Sequence, residues 1–413
     1  MTAITIYFTI IFLLVADFLL ECYLSVLNIK NSKVQLPDIL SGIYDAEKYA
    51  RQQDYFRINT RFGVIANCFS FIVTLSMFAF GGFGWLDTLL TVHFQNEIIR
   101  TLLFFGVLYF ANDILSLPFE IYDTFVIEQR FDFNRITTKI FIFDKLKGYL
   151  LTAIIGGGLI ALIMWIYSLS EDYFWLIAWS AVTAFSLFMA LFYSELIVPL
   201  FNKQMPLADG ELRDAIKKFA EKAGFKLKNI YIIDGSKRST KANAYFTGFG
   251  QKKRIVLYDT LLDKMTNDEI VAVLAHEIGH NKHHDTLKGM VISLPTTLLL
   301  FYLLGLILSS DILAQSMGGV GASFGLNVLA FGILYSPVSM FLGLLGNHFS
   351  RKHEYKADAF AASYGLGDEL VAGLKKLSAT SLSNLTPHPS YVFFHYSHPT
   401  LYQRIVAIFN GKF

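Results

Sequence analysis

The stretch Ala275–His284, AHEIGHNKHH, is followed closely by MVISLPTTLLLFYLLGLILSS (290–310), so a cluster of histidines abuts a long apolar run. A bilayer core about 30 Å thick requires roughly 20 apolar residues in a helix. The run therefore reads as a membrane span, with the histidines at its edge. The whole chain agrees: 54% of its 413 residues are hydrophobic and only 16% are charged, against roughly a quarter charged in soluble domains. The near-balanced net charge of +2, without an acidic or basic tail, gives no case for nucleic-acid binding. The expected partner is the lipid bilayer.

Seven candidate spans follow from the apolar runs, at about 3–28, 62–82, 98–118, 149–169, 174–200, 290–310 and 326–348. Lys and Arg alternate between the connections: six in 29–61, none in 83–97, five in 119–148, none in 170–173, sixteen in 201–289, none in 311–325 and seven in 349–413. This is the positive-inside pattern for seven crossings with the N-terminus outside. The start, MTAITIYFTIIFLLVADFLLECYLSVLN, has no basic residue before its apolar run and no small-residue cleavage site, so it reads as a retained first span. Cys22 and Cys68, without CxxC spacing, read as small buried hydrophobes. Asn112, Asp113 and Glu195 fall within spans; such groups either bond between helices or face a water-filled cavity.

The expected fold is predominantly α: five N-terminal transmembrane helices (1–200), a cytoplasmic loop domain (201–289), helices six and seven (290–348) and a cytoplasmic tail (349–413). In the loop domain, GELRDAIKKFAEKAGF (210–225) has helical spacing, whereas NIYIID, NAYFTG and KRIVLYD are strand-like, which gives helix, small sheet, helix. Thr266 and Glu269 form a capping-box pattern ahead of the apolar positions Ile270, Val271, Val273 and Leu274. AHEIGH thus lies on a helix.

Residues four apart share a helix face, so His276 and His280 can converge on one ion with Glu277 beside it, the H-E-x-x-H arrangement of zinc peptidases. His283 and His284 read as interfacial polar residues. A catalytic zinc takes three protein ligands and leaves a position for water. Glu354, in HFSRKHEYKADAFAASYG (348–365), is the expected third ligand, because two further crossings return the chain to the same face. Asp358, four residues on, is the expected acceptor from a ligand histidine's N–H.

HEIGH, EYKADAFA, NAYFTGF and the terminal SHPTLYQRI together resemble the type I CAAX prenyl proteases, integral-membrane zinc metalloproteases of the gluzincin kind. PFEIYDTFVIEQRFDFNRIT (118–137) and LIVPLFNKQMPLADGELRDAI (196–216) are similar to further stretches of that family, so the resemblance spans nearly the whole chain. It implies seven helices around a large water-filled chamber with one Zn²⁺ at its cytoplasmic end. It also implies a substrate-pairing strand, carrying Asn243, Ala244 and Tyr245, beside the scissile bond. His398 and Arg404 match the family's His and Arg that approach the cleft; they are candidates to stabilise the oxyanion. Glu277 is the expected general base.

The substrate expected from the resemblance is a peptide or protein that is membrane-associated and possibly prenylated. The alternatives are an HtpX-like quality-control protease, which would share every metal residue, and a metal transporter, whose ligands belong near mid-span. Short non-cytoplasmic loops favour a bacterial inner membrane, with the endoplasmic reticulum as the alternative, and the active site faces the cytoplasm. Nothing in the pattern sets an oligomeric state.

Overall fold

The computed structural model describes residues 2–32, 35–227, 229–247 and 254–411. Five long helices come first: α1 (Ala3–Asn31), α2 (Ala46–Ala79), α3 (Glu97–Glu128), α4 (Thr138–Leu169) and α5 (Phe174–Phe201). The cytoplasmic part expected from the sequence then follows, with α6 (Glu211–Lys222) and α7 (Asn267–Lys282). A sixth span, α8 (Asp285–Gly305), leads to α9 (Phe324–Leu334) and α10 (Ser336–Ser363), a pair bent by 50° that is together long and apolar enough to serve as a seventh. Three helices close the chain: α11 (Gly367–Thr380), α12 (Pro389–His395) and α13 (Leu401–Asn410).

Several helices outrun the apolar segments that mark them. α2 begins at Ala46 because AEKYARQQDYFRIN is a good helix former capped by Asp45, whose side chain accepts from the Lys48 N–H. α3 continues through a π-helical turn at Asp123–Glu128. The helix that carries Glu354 was expected to start after the seventh span; instead it is the direct continuation of that span's helix. Pro337 at its second position suits a helix start and marks the bend.

The sheet has four strands: β1 (Gln204–Pro206), β2 (Asn229–Ile233), β3 (Ala244–Thr247) and β4 (Arg254–Tyr258), in the order β1-β2-β4-β3. β2 and β4 run parallel, and β3 is antiparallel to β4. β3 is therefore an edge strand. Of these, β1 escapes sequence reading, since three residues ending in Pro206 carry no alternation.

Apolar packing gathers at the two ends of the spans. One cluster joins the sheet, α6, α7 and α11 around Ile255, Leu257, Leu261 and Ile270. A second, around Phe78, Phe83, Phe104 and Leu313, and a third, around Phe174 and Phe301, lie towards the other end. Only 6–11% of each long helix's most apolar window is buried against the rest of the chain. Helices that touch lipid outside and enclose open space inside behave this way, in line with a chamber. Asp113 links two spans, accepting from Lys145 Nζ at 2.9 Å and Tyr149 OH at 2.6 Å. Glu195 instead ties α5 to β4 through Arg254 at 2.6 Å. Cys22 and Cys68 are free, though half-buried rather than buried.

Candidate active site

α7 is fixed at its start by the expected capping box: the Glu269 N–H donates to Thr266 Oγ1 at 3.3 Å and the Thr266 N–H to Glu269 Oε2 at 2.8 Å. Lys376 on α11 adds an ion pair to Glu269 at 2.7 Å. Ile270, Leu274 and Ile278 then bury one face of the helix in the core. His276 follows them in at 6% exposure.

Gly279 lets α7 meet α10 closely. A Cβ there would lie 3.0 Å from Ala357 Cα and 3.1 Å from Phe360 Cβ. Gly279→Val should push the helices apart at a cost of roughly 1–3 kcal/mol, lowering both the melting temperature and the metal content. Wild-type values for both would show the contact to be slack.

The approach brings Glu354 of α10 against the two histidines of α7. His280 Nε2 lies 3.1 Å from Glu354 Oε1 and 3.2 Å from His276 Nε2, while His276 Nε2 lies 3.5 Å from Glu354 Oε2. One ligand atom from each residue falls within 4.8 Å of the others. Among the described residues, buried Glu354 Oε2 has no hydrogen-bond partner. Two imidazole nitrogens and an orphaned carboxylate oxygen turned on one point fit a divalent cation.

The outward-facing nitrogens support that assignment. His276 Nδ1 lies 2.8 Å from Asp358 Oδ1 and His280 Nδ1 lies 3.0 Å from Asp285 Oδ2. Each ring can donate Nδ1–H to a carboxylate, which leaves its Nε2 lone pair for the ion. Asp358 was expected in this part; Asp285 was not. His284, with φ at 56°, turns the chain between α7 and α8 so that Asp285 folds back beneath His280. His283 caps α7 against Phe360, so neither extra histidine belongs to the metal group.

Burial works against a charged His280, but the hydrogen bond and charge of Glu354, with the Asp285 bond, outweigh it and push the ring up to about 9. A proton on that ring competes with the metal. With the ion stripped, metal affinity should therefore rise about tenfold per pH unit up to about pH 9; a flat profile between pH 6 and 8 would exclude this competition. The ring's own contribution to the stripped protein has the opposite sign: it is full below about 6.5 and lost as pH rises through about 9.

Arg404 and His398 occupy different places. Arg404 is buried and grips Asp358 with two bonds, Nε at 2.9 Å and Nη2 at 2.6 Å, while Nη1 lies 3.5 Å from Glu354. Its guanidinium is committed behind the ligands. His398 is exposed, with Nε2 3.3 Å from Glu354 Oε1. It stands at the mouth of the site.

A cavity of about 410 Å³ opens over the cluster, lined by Glu277, His398, Asn243 and Ala244 and walled by Leu370 and Leu374. An adjoining cavity of about 590 Å³ shares Ser378, Ser381, Ser383 and His398 with it. The Asn243 carbonyl accepts from the Tyr258 N–H at 3.0 Å. By the alternation of an antiparallel ladder, the peptide groups of Ala244 then face the edge of β3 away from β4, which pairs with no other strand among the described residues. Tyr245 points elsewhere: its hydroxyl lies 3.3 Å from Ser194 Oγ, and it lines a cavity on another side of the sheet.

The VIEQRFDFN segment braces this edge, a role its sequence did not announce. Lys241 Nζ donates to Glu128 Oε2 at 2.8 Å and to Tyr55 OH at 3.1 Å, and Tyr55 OH donates to Glu128 Oε1 at 2.6 Å. The Thr240 N–H bonds to the Phe133 carbonyl at 3.1 Å and the Arg135 N–H to the Arg238 carbonyl at 3.0 Å. The run into β3 is thus strapped to the end of α3. Glu128→Gln should lower kcat/KM about tenfold to a hundredfold through misplacement of the strand, with metal content unchanged. Unaltered kinetics would show that the strap is idle.

Residues 25–203 match the model of the CAAX prenyl protease N-terminal region with five membrane helices, and residues 206–410 match peptidase family M48. The CAAX prenyl protease 1 homolog of Oryza sativa is 36% identical over 403 residues, 95% of this chain and 94% of the relative. CAAX prenyl protease 1 of Saccharomyces cerevisiae is 33% identical, covering 95% of this chain and 93% of its own. The crystal structure of S. mikatae Ste24p superposes with a TM-score of 0.92 at 31% identity, over 98% of this chain and 99% of that one. The chain belongs to the type I CAAX prenyl protease family of M48 metallopeptidases and is a multi-pass membrane metalloprotease.

Proposed function

We propose that the metal is Zn²⁺, held by His276, His280 and Glu354, and that the enzyme cuts peptide bonds near the C-terminus of lipid-modified or membrane-associated substrates. The observation that carries this reading is the convergence of His276, His280 and Glu354 beside Glu277, under the outer edge of β3, with the histidines on a helix that leads into a span. When bound, zinc polarises the scissile carbonyl and acidifies water.

The chain's own residues supply the rest. Substrate backbone pairs with the edge at Ala244, where the Asn243 side chain now accepts the Ala244 N–H at 2.8 Å. Glu277 takes the proton of the attacking water and passes it to the departing amine. His398, at the mouth, donates to the oxygen on which negative charge develops. Arg404 acts through Asp358, holding the His276 ring in register. Leu370 and Leu374 offer an apolar side-chain pocket and exclude water.

The division at 200, 289 and 348, the outside N-terminus and the cytoplasmic active site rest on the Lys and Arg alternation. Rice and budding yeast are eukaryotes and lend the bacterial inner membrane no support. The endoplasmic reticulum accords better with them.

The test uses full-length protein in detergent with a farnesylated CaaX peptide, the same peptide unmodified and a destabilised membrane protein. Cleavage of the farnesylated peptide is expected. Cleavage of the destabilised protein alone would instead make the enzyme a quality-control protease.

A further inference from the structure

A basic pocket lies on the side of α10 away from the metal ligands. His348, Arg351, Lys352 and Lys356 face one cavity of about 590 Å³, closed opposite by Val392 and Phe393 of α12. Their spacing places them on one helix face, whereas Glu354 and Asp358 are buried on another. No carboxylate lines the cavity, and among the described residues none of the four pairs with one. Arg351 gives one bond, from Nη1 to the Tyr396 carbonyl at 2.6 Å, which fixes the pocket's two walls to each other. The Asn347 side chain does the same to the Phe394 carbonyl at 3.0 Å.

The position of the pocket suggests its occupant. α10 is apolar through Leu345, and its charges begin at Arg351, just past His348, where the apolar segment read as the seventh span ends. Phe349 and Phe393 remain exposed beside them, at 43% and 51%. Basic residues at the end of a span are expected from topology alone. Topology does not explain a concave site with an apolar wall supplied by a separate helix.

We propose that this pocket binds the phosphate of an anionic phospholipid headgroup, with the cations around the phosphate and the acyl chains against Phe349 and Phe393. A free phosphate would use the same cations but has no use for the aromatic rim. An acidic peptide would not require a place at the bilayer edge.

The experiment is native mass spectrometry of the full-length protein titrated with phosphatidylglycerol or phosphatidylcholine, with wild type compared against a Lys352→Glu/Lys356→Glu variant. Melting temperature and metal content serve as fold controls, and a milder Lys352→Gln/Lys356→Gln variant stands in if the first fails to fold. Wild type should retain phosphatidylglycerol in preference to phosphatidylcholine, the Gln variant should bind it about thirtyfold more weakly, and the Glu variant more weakly still. Equal retention of the two lipids, or retention unchanged in both variants, would overturn the proposal. So would displacement of the anionic lipid by millimolar inorganic phosphate or an acidic peptide that binds more tightly than the lipid.

Discussion

Glu277→Gln will lower cleavage of a farnesylated CaaX peptide by two to four orders of magnitude and leave one metal ion bound per chain. Glu277 follows His276 directly and lines the cavity above the metal group without belonging to the group. The amide keeps the size of the side chain but cannot accept a proton at neutral pH. The ligands, their supporting carboxylates and the strand edge are untouched, so KM should change little. Cleavage within tenfold of wild type would remove Glu277 from the reaction.

The second large effect belongs to Glu354→Ala. It removes the one ligand supplied by α10 and leaves two histidines, His276 buried and His280 half-buried, 3.2 Å apart at Nε2. Metal affinity should fall by more than the 10- to 100-fold typical of losing a ligand's hydrogen-bonding partner, and activity should fall with it. Since Glu354 also meets His398 and Arg404, a melting curve should accompany the metal analysis. A folded variant with full metal content would refute the third ligand.

The sequence makes the histidine pair legible because its geometry is local, and the third residue because the count of crossings brings it to the same face. His276 and His280 need only a helix, and Glu354 needs only the parity of two crossings. The spans are legible because hydropathy and the alternation of Lys and Arg agree. What hides is whatever depends on a turn or on a distant partner. Asp285 reaches His280 only because His284 adopts a left-handed conformation. Arg404 joins Asp358 from 46 positions away, and the resemblance alone put it near the cleft without assigning it to the back of the site.

The brace between Glu128 and Lys241 spans 113 positions and has no local signature. Tyr245 shows the opposite failure: a motif read as a unit places alternate residues of a strand on opposite faces. The lengths of α2 and α10 differ from the apolar runs because a helix ends where its backbone does, whereas hydropathy ends at the membrane surface.

The most direct test measures metal and proteolysis on the same purified, full-length protein. It should contain one zinc per chain and cleave a farnesylated CaaX peptide; a chelator should abolish cleavage and added zinc should restore it. Full cleavage by protein stripped of its metal, with Glu277→Gln equally active, would contradict the account.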